Sequence, residues 1–278
     1  MNIKLYKYHG AGNDFLIGDN RAGDLRLDEA HIRRICDRHL GIGSDGLMLL
    51  CGSDTCDFRM EFYNPDGTSG MMCGNGGRCI AAFAARLGIP ARDGRFDFEA
   101  PDGLHTAVLT DGTADSPVRT VRLKMRDVAG ITQVLDENAC FLDTGTRHLV
   151  KFVTGLADYP VESEGKRLRN DPRFAPVGTN VDFVEPLDNG LQVRTFEKGV
   201  EAETLACGTG IVAAALAAYA RKIPASTVGG GSVSYSVRAA IADLRVDFVP
   251  EGSGAHFTAR EVWLTGPAEF VGIVEILS

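Results

Sequence analysis

Two cysteines in this chain stand in nearly the same setting. Cys73 opens the run Cys73-Gly-Asn-Gly-Gly-Arg-Cys79, and Cys207 opens Cys207-Gly-Thr-Gly210. After each, the composition turns abruptly alanine-rich, over residues 80–87 and again over 211–222. Ala, Arg and Leu are strong helix formers, Ile80, Phe83 and Leu87 fall on one apolar face, and Gly88, Pro90 and Pro224 supply stops. Each stretch reads as a glycine loop opening a helix, with its cysteine just ahead of the helix N-terminus. Unpaired amides and the positive end of the helix dipole favour an anion there. That anion is either a thiolate on the cysteine or a carboxylate held by Gly74, Asn75 and Gly76.

A thiol and a thiolate facing each other across a pocket can work on the two faces of one carbon. The thiolate removes a proton, the opposite thiol returns one from the other side, and the centre is inverted; this is general acid/base catalysis with matched groups. The α-hydrogen of an amino acid is so weakly acidic that the developing negative charge needs stabilising. Helix N-terminal amides aimed at the α-carboxylate can do this without a metal or pyridoxal.

The elements that must position the cysteines follow from the repeat. The two loops lie 134 residues apart (207 − 73), about half of the 278 residues, which suggests an internal duplication. With 44% hydrophobic content the chain can build two cores of ordinary domain size. The strand readings are 4–8, 16–17, 47–50, 58–63, a hairpin of 96–99 with 103–109, 119–125, two strands within 140–153, 191–196, several up to 248, then 261–264 and 268–277. Asp28 caps a helix over 29–39 with Ile32 and Ile35 inward, and residues 169–174 read as a surface segment. Alternating strands with one convincing long helix per half exclude a doubly wound sheet. The expected fold is α+β: two pseudo-symmetric lobes, each a curved, mostly antiparallel sheet (an open barrel) around one central helix, with the active site in the cleft between lobes. The lobe boundaries are expected at 1–115, completed by the C-terminal strand 266–278, and 116–265.

Other segments have plainer readings beside the functional one. The stretch His9-Gly-Ala-Gly-Asn-Asp-Phe15 presents Asn13 and Asp14, and reads equally as an ordinary hairpin turn. Gly41-Ile-Gly-Ser-Asp-Gly46 matches GxGxxG, but it follows a helix and precedes a strand, the reverse of a dinucleotide fingerprint, so it reads as a tight loop in the site wall. His148 lies in a loop, where a lone histidine is more often solvated. Glu197-Lys-Gly-Val-Glu-Ala-Glu203 forms a polar loop feeding the second cysteine helix.

The formal charge of −8, with no Lys/Arg cluster, argues against a nucleic-acid partner. The N-terminus lacks a hydrophobic signal region and the longest apolar run is too short for a bilayer, so the expectation is a cytoplasmic protein with no membrane partner. Seven cysteines without CxxC pairing give no zinc pattern and no disulfide framework. Cys36, Cys51, Cys56 and Cys140 read as ordinary core or strand residues, and Cys79 as packed inside the central helix.

Taken in order, Tyr8-His-Gly-Ala-Gly-Asn-Asp-Phe15, Asn64-Pro-Asp-Gly67, Met72-Cys-Gly-Asn-Gly-Gly-Arg-Cys79, Gly178-Thr-Asn180-Val and Glu203-Thr-Leu-Ala-Cys-Gly-Thr-Gly210 resemble the diaminopimelate epimerase family over essentially the whole chain. The resemblance implies an isomerase that needs no cofactor and no metal and converts LL- to meso-2,6-diaminopimelate for lysine and peptidoglycan synthesis. It allows a homodimer. Carried over by motif, Cys73 and Cys207 are the base and acid pair, assisted by His148 and Glu197. Gly74, Asn75, Gly208 and Thr209 would hold the reacting carboxylate. Asn13, Asn64, Asn180 and Lys198 would bind the rest of the substrate. The chain departs from the family where Gly145-Thr-Arg-His148 replaces Gly-Asn-Pro-His and where Glu197-Lys-Gly199 replaces Glu-Arg-Gly. The second change loses the planar fork that grips a carboxylate at two points. The segment to the second cysteine is also one residue longer. These changes lie where the distal amino acid would be recognised, so a related two-cysteine racemase acting on a different amino acid is a second reading. A non-catalytic amino-acid-binding or thiol redox protein is a third.

Overall fold

The computed structural model describes residues 3–113, 115–129, 134–136, 138–252 and 257–276. The chain divides into two units, Met1–Leu123 with Gly266–Ser278, and Lys124–Thr265.

In the first unit β1 (Ile3–Gly10) and β2 (Asn13–Asn20) form an antiparallel hairpin whose register closes at Gly10 and Asn13. Ala11 and Gly12 make the turn with φ of 55° and 90°, the left-handed pair that a two-residue hairpin requires. The 9–15 stretch is therefore a hairpin turn. Helix α1 (Glu29–Cys36) is capped by Asp28, whose carboxylate accepts the His31 N–H at 2.9 Å, and it buries Ile32 and Ile35 as expected. It ends three residues short of the expected 39. β3 (Gly46–Cys51) returns parallel to β2, and β4 (Phe58–Tyr63) pairs antiparallel with β3. Helix α2 (Gly74–Arg86) then leads to β5 (Arg95–Ala100), which is parallel to β4. The antiparallel strands β6 (Gly103–Leu109) and β7 (Val118–Lys124) follow.

The later part of β17 (Thr258–Ile276) pairs with β7 on one side and β1 on the other, so the eight strands close into a barrel. The curved sheet expected from the sequence is here carried to closure. The expected final strand, 268–277, is the end of this much longer element, and Leu277 lies outside the described residues. Eleven consecutive residues of α2, Gly74 to Ala84, are buried, so the helix is enclosed on every side. Small side chains permit this: Ala81, Ala82 and Ala84 let strands approach closely, while Phe83 fills the interior between Tyr6 and Tyr8.

The second unit repeats the plan. β8 (Val134–Asp136) precedes β9 (Ala139–Asp143), which pairs antiparallel with β10 (Arg147–Phe152). Helix α3 (Val161–Arg169) leads to β11 (Asn180–Leu187), parallel to β10. β12 (Gly190–Glu197) is antiparallel to β11 and carries the short β13 (Ala202–Thr204). Helix α4 (Gly208–Ala220) leads past β14 (Thr227–Gly229) to β15 (Ser232–Arg238), parallel to β12. β16 (Asp243–Glu251) and the first part of β17 complete the series. From β1 to β7, and from β9 through β12 and β15 to β17, the pairings run antiparallel, parallel, antiparallel, parallel, antiparallel, antiparallel. The duplication inferred from the cysteine loops is thus present in the order of the sheets.

Three expectations change. The helices begin at Gly74 and Gly208, so the glycines form their first turns and are not a loop before them; Cys73 and Cys207 are the N-caps themselves. Residues 161–169, unread in the sequence, form α3. The 169–174 segment ends that helix and buries Phe174, so it is not simply surface. His148 sits in β10 with its side chain wholly buried, and is not a solvated loop residue.

Candidate active site

Cys73 caps α2 with an extended backbone, and its sulfur accepts the Gly76 N–H at 3.3 Å. The thiol meets the Asn13 side-chain oxygen at 3.8 Å, and the Asn75 amide donates to the same oxygen at 3.4 Å. Asn13 is placed by the hairpin turn and held from behind, since its own amide donates to Asp45 at 2.8 Å. Asp45 belongs to the glycine loop at 41–46, which thereby enters the wall of this site; Arg38 pairs with Asp45 at 2.6 Å. Beneath the helix turn lies Arg78, wholly buried. Its guanidinium donates to Asn75 Oδ1 at 2.8 Å and to the carbonyls of Gly74 and Pro267 at 3.2 Å. Burial lowers the Arg78 pKa, while the thiol groups of Cys79 and Cys73 act in the opposite direction. Gly74 and Asn75 occupy first-turn helix positions, whose amides have no intrahelical acceptor. Asn64 holds its own turn, its amide donating to the Thr68 hydroxyl at 3.1 Å.

The second unit surrounds Cys207 with different groups. The sulfur lies 3.5 Å from the Thr209 hydroxyl, and that hydroxyl lies 3.0 Å from His148 Nε2. His148 Nδ1 meets the Asp182 carboxylate at 2.7 Å, and both side chains are 0% exposed. Asp182 also accepts the Thr195 hydroxyl at 2.8 Å. The parallel register that sets His148 opposite Asn180 brings the Asn180 amide to within 3.5 Å of Nε2, while its oxygen accepts the Lys198 backbone N–H at 2.9 Å. Glu197, the last residue of β12, accepts the Thr204 hydroxyl. Burial pushes the Glu197 carboxyl upward, and Asp182 adds to this, whereas Thr204, His148 and Cys207 pull it down. Burial pushes the Cys207 thiol well above the ordinary range, and the carboxylates of Glu197 and Asp182 push it further.

Most of the sequence-derived residues fall into two clusters. Cys73, Asn13, Gly74 and Asn75 meet in the first unit, with Asn64 in a separate turn. Cys207, His148, Glu197, Asn180, Gly208 and Thr209 meet in the second. Lys198 is exposed, with only its backbone tied in. Of the residues departing from the family pattern, Thr146 enters the cluster, 2.9 Å from His148 Nε2 and 3.1 Å from Thr209. Arg147 is engaged elsewhere: it donates to the Phe174 carbonyl at 3.2 Å and lies over the Phe141 ring. Asp182, Asp45 and Arg78 are site residues that sequence reading missed. For Asp182 a signal existed, because it stands two residues after Asn180 and strand periodicity puts both on one face. Among the described residues no group of three or more His, Cys, Asp or Glu side chains is arranged to hold a metal ion. All seven cysteines are free thiols, with Cys36, Cys51, Cys79 and Cys140 buried.

Gly210 fixes how closely α4 approaches this cluster. A Cβ there would stand 2.2 Å from Asp182 Oδ1, and the carboxylate, held by His148 and Thr195, has no room to swing away. Gly210→Ala should therefore cost about 1–3 kcal/mol in urea unfolding, as overpacked cores do. Gly229→Ala, where a Cβ meets nothing within 4 Å, serves as the control. A Gly210→Ala protein as stable as the parent would mean that the dyad tolerates displacement.

A repeated sheet order around two buried helices, each capped by a cysteine, is the fold of a class of isomerases. The diaminopimelate epimerase family model matches residues 5–124 and 140–241. The chain is 39% identical over 271 residues to the diaminopimelate epimerase of Flavobacterium psychrophilum, covering 97% of this chain and 98% of that one. It is 44% identical over 211 residues to the enzyme of that name from Chlorobaculum tepidum, covering 76% and 81%. The chain belongs to the diaminopimelate epimerase family.

Solved structures of the same fold extend well beyond that family. A Bacillus anthracis phenazine biosynthesis protein of the PhzF family aligns with TM-score 0.72 at 15% identity over 100% of both chains. A hydroxyproline epimerase from Agrobacterium vitis, with bound trans-4-hydroxy-L-proline, aligns with TM-score 0.66 at 16% identity over 99% and 92%. Among the described residues no helix is long and apolar enough to cross a membrane.

Proposed function

We propose that this chain inverts one α-carbon of LL-2,6-diaminopimelate to give the meso isomer, with Cys73 and Cys207 each serving one face of that carbon. The observation that carries the reading is the duplicated placement: each cysteine is the N-cap of a buried 13-residue helix at the same point of a repeated sheet order. The amides of Gly74 and Asn75, and of Gly208 and Thr209, would hold the α-carboxylate and take up charge as the proton leaves. The Gly76 amide at the Cys73 sulfur and the buried Arg78 cation favour negative charge on that side. Burial, Glu197 and Asp182 favour the neutral thiol at Cys207. The resting pair is accordingly base at Cys73 and acid at Cys207, and the roles exchange in the reverse direction. The substrate is a free amino acid in the cytoplasm, a reading supported by the acidic composition and by the family.

Incubating the reduced protein in deuterated water with LL- and meso-diaminopimelate and with glutamate, lysine and histidine tests this directly. Exchange at an α-carbon of diaminopimelate alone is expected. Exchange with a single-centre amino acid instead would keep the mechanism and change the substrate. Absence of exchange with all of them would overturn the reading. In the same assay Lys198→Arg should lower the KM for diaminopimelate several-fold, because a guanidinium fork binds a carboxylate at two points where an ammonium binds at one. An unchanged KM would place the distal carboxylate elsewhere.

A further inference from the structure

The proposed reaction takes the Cys73 sulfur from thiolate to thiol and back, so the group beside it matters in both states. That group is the side-chain amide of Asn13, whose two ends are chemically opposite. Oδ1 accepts a hydrogen from a thiol, whereas Nδ2 would donate one to a thiolate. We propose that Asp45 is a positioning residue for Cys73, fixing the Asn13 amide so that its oxygen, and not its nitrogen, faces the sulfur. The inference deepens the functional reading above and rests on it only for the effect on turnover.

The orientation follows from the two ends of one hydrogen-bonded chain. Arg78 donates only, and its guanidinium meets the Asn75 side chain at 2.8 Å, so the atom there is Asn75 Oδ1. Asn75 then turns Nδ2 toward Asn13 at 3.4 Å, and Asn13 must answer with Oδ1. At the far end a carboxylate accepts only. Asp45 Oδ2 lies 2.8 Å from the other end of the Asn13 amide, which must be Nδ2. Two amides strung between an obligate donor and an obligate acceptor can be satisfied in one sense alone. Reversing Asn13 would set its nitrogen against the Asn75 nitrogen and its oxygen against the carboxylate. The Cys73 thiol, 3.8 Å from Oδ1, is thereby given an acceptor, while the Gly76 N–H donates to the same sulfur at 3.3 Å.

Both ends of the chain are anchored. Arg78 and Asn75 are buried, and a Cβ on Gly10 would stand 3.0 Å from the Asn75 carbonyl oxygen and 3.2 Å from the Arg78 guanidinium, so the hairpin carrying Asn13 packs directly upon them. Asp45 takes the Asp14 backbone N–H at 3.2 Å on the oxygen that holds Asn13, and Arg38 at 2.6 Å on the other. Its own backbone N–H donates to the Asp14 carbonyl at 2.9 Å. Lys7 ties the loop to the hairpin by donating to the Gly43 carbonyl and to the Asp14 carboxylate.

The consequence is a stronger base. A thiolate facing Oδ1 gains nothing from Asn13, whereas one facing Nδ2 would be stabilised and less ready to take the α-hydrogen. Once the proton has arrived, the new S–H meets an acceptor. The charged and titratable groups around the sulfur are Arg78 and Cys79 on its own helix, Lys7 and Asp14 on the hairpin, and Arg38 and Asp45 from the loop. Burial pushes the Cys79 thiol upward. Burial also opposes the charge on Asp14, but hydrogen bonds from Arg38 and Lys7 outweigh it and hold that carboxyl at about 2, so it stays ionised while Cys73 titrates.

The test reads the amide and the thiol separately from turnover. In 15N-edited spectra of the parent protein the Asn13 side-chain N–H protons should show through-space contacts to the Asp14 backbone N–H, which shares their acceptor. Contacts to the Cys73 β-protons in their place would overturn the proposal. Asp45→Ala leaves only the 3.4 Å contact from Asn75 to hold the amide, which can then turn and donate to the thiolate. Iodoacetamide labelling of Cys73, quantified by peptide mass spectrometry against pH, should therefore have its midpoint about one pH unit lower in this variant, the scale of a hydrogen bond to a charged group. Loss of the Asp45 charge would act in the same direction without any turning. The same substitution is accordingly made in Asn13→Ala, where most of the shift should vanish. An equal shift in both backgrounds, or none in either, overturns the proposal. The parent spectrum decides the question even if a variant fails to fold. In deuterated water Asp45→Ala should exchange the diaminopimelate α-hydrogen several-fold more slowly at saturating substrate. If the parent exchanges no amino acid α-hydrogen while the spectrum and labelling respond as expected, the functional reading fails and the positioning of Asn13 stands.

Discussion

Replacing Cys73 or Cys207 with alanine should lower the rate of inversion by about 10³-fold or more, within the range that a positioned acid or base contributes. On the proposed mechanism each variant keeps one of the two thiols, and inversion would need both. The loss should be in kcat, because the amides of Gly74, Asn75, Gly208 and Thr209 that would hold the carboxylate are backbone groups and survive the change. Stability should move little, since a cysteine N-cap is a weak cap and its replacement costs less than the ~1 kcal/mol typical of losing a strong one. Serine at either position preserves the shape yet should remain slow, because a hydroxyl is a much weaker acid than a thiol. Chiral chromatography of the two isomers measures this directly. A near-parental rate in either alanine variant would remove the two-base mechanism.

Phe83→Ala is the second large effect, and it acts on stability. Phe83 is 0% exposed within α2, its ring 4.8 Å from that of Tyr6 and 6.1 Å from that of Tyr8. The barrel encloses the helix, so strands hydrogen-bonded into a closed ring cannot collapse inward to fill the space. The expected cost is about 3–5 kcal/mol, the range for truncating a buried aromatic. Against a typical total of about 5–15 kcal/mol, this is enough to lower the urea midpoint of the first unit substantially. Because the head of the same helix carries Cys73, activity should fall before unfolding is complete. A loss below about 1 kcal/mol would show that the barrel relaxes around the void.

The parts of the site that could be read from the sequence were those written locally. The two cysteine loops repeat in composition, so their helices, their shared role and the duplication were all visible. The helix starts were not, because Gly74, Gly76 and Gly77 carry the signature of a loop. Enclosure overrides propensity there: a Cβ on Gly77 would lie 3.0 Å from Leu123 and from Met72, so the barrel packs tightly on this turn. Helix α3 was missed because its sequence, VESEGKRLR, is mostly charged. Its contact with the sheet runs through Val161, Leu168 and Gly165, where a Cβ would stand 2.4 Å from Phe196. The meeting of Asp182 with His148, and the burial of His148, depend on β10 pairing in parallel with β11, an arrangement between distant segments that no local pattern encodes. The fate of Arg147 was equally hidden, since its partners Phe141 and Phe174 flank it from either side in the sequence.

The path of β17 bears on the order in which the protein can be made. Its residues 258–265 serve the second unit, and only then does the chain supply Gly266 onward, the segment that pairs with both β1 and β7. During synthesis the second unit can therefore complete its core while the first, although begun earlier, still has two unsatisfied strand edges. Open edges of this kind invite pairing with other chains. The N-terminal half cannot close until this later segment has been made, so in the nascent protein the half translated first is the one left with open edges.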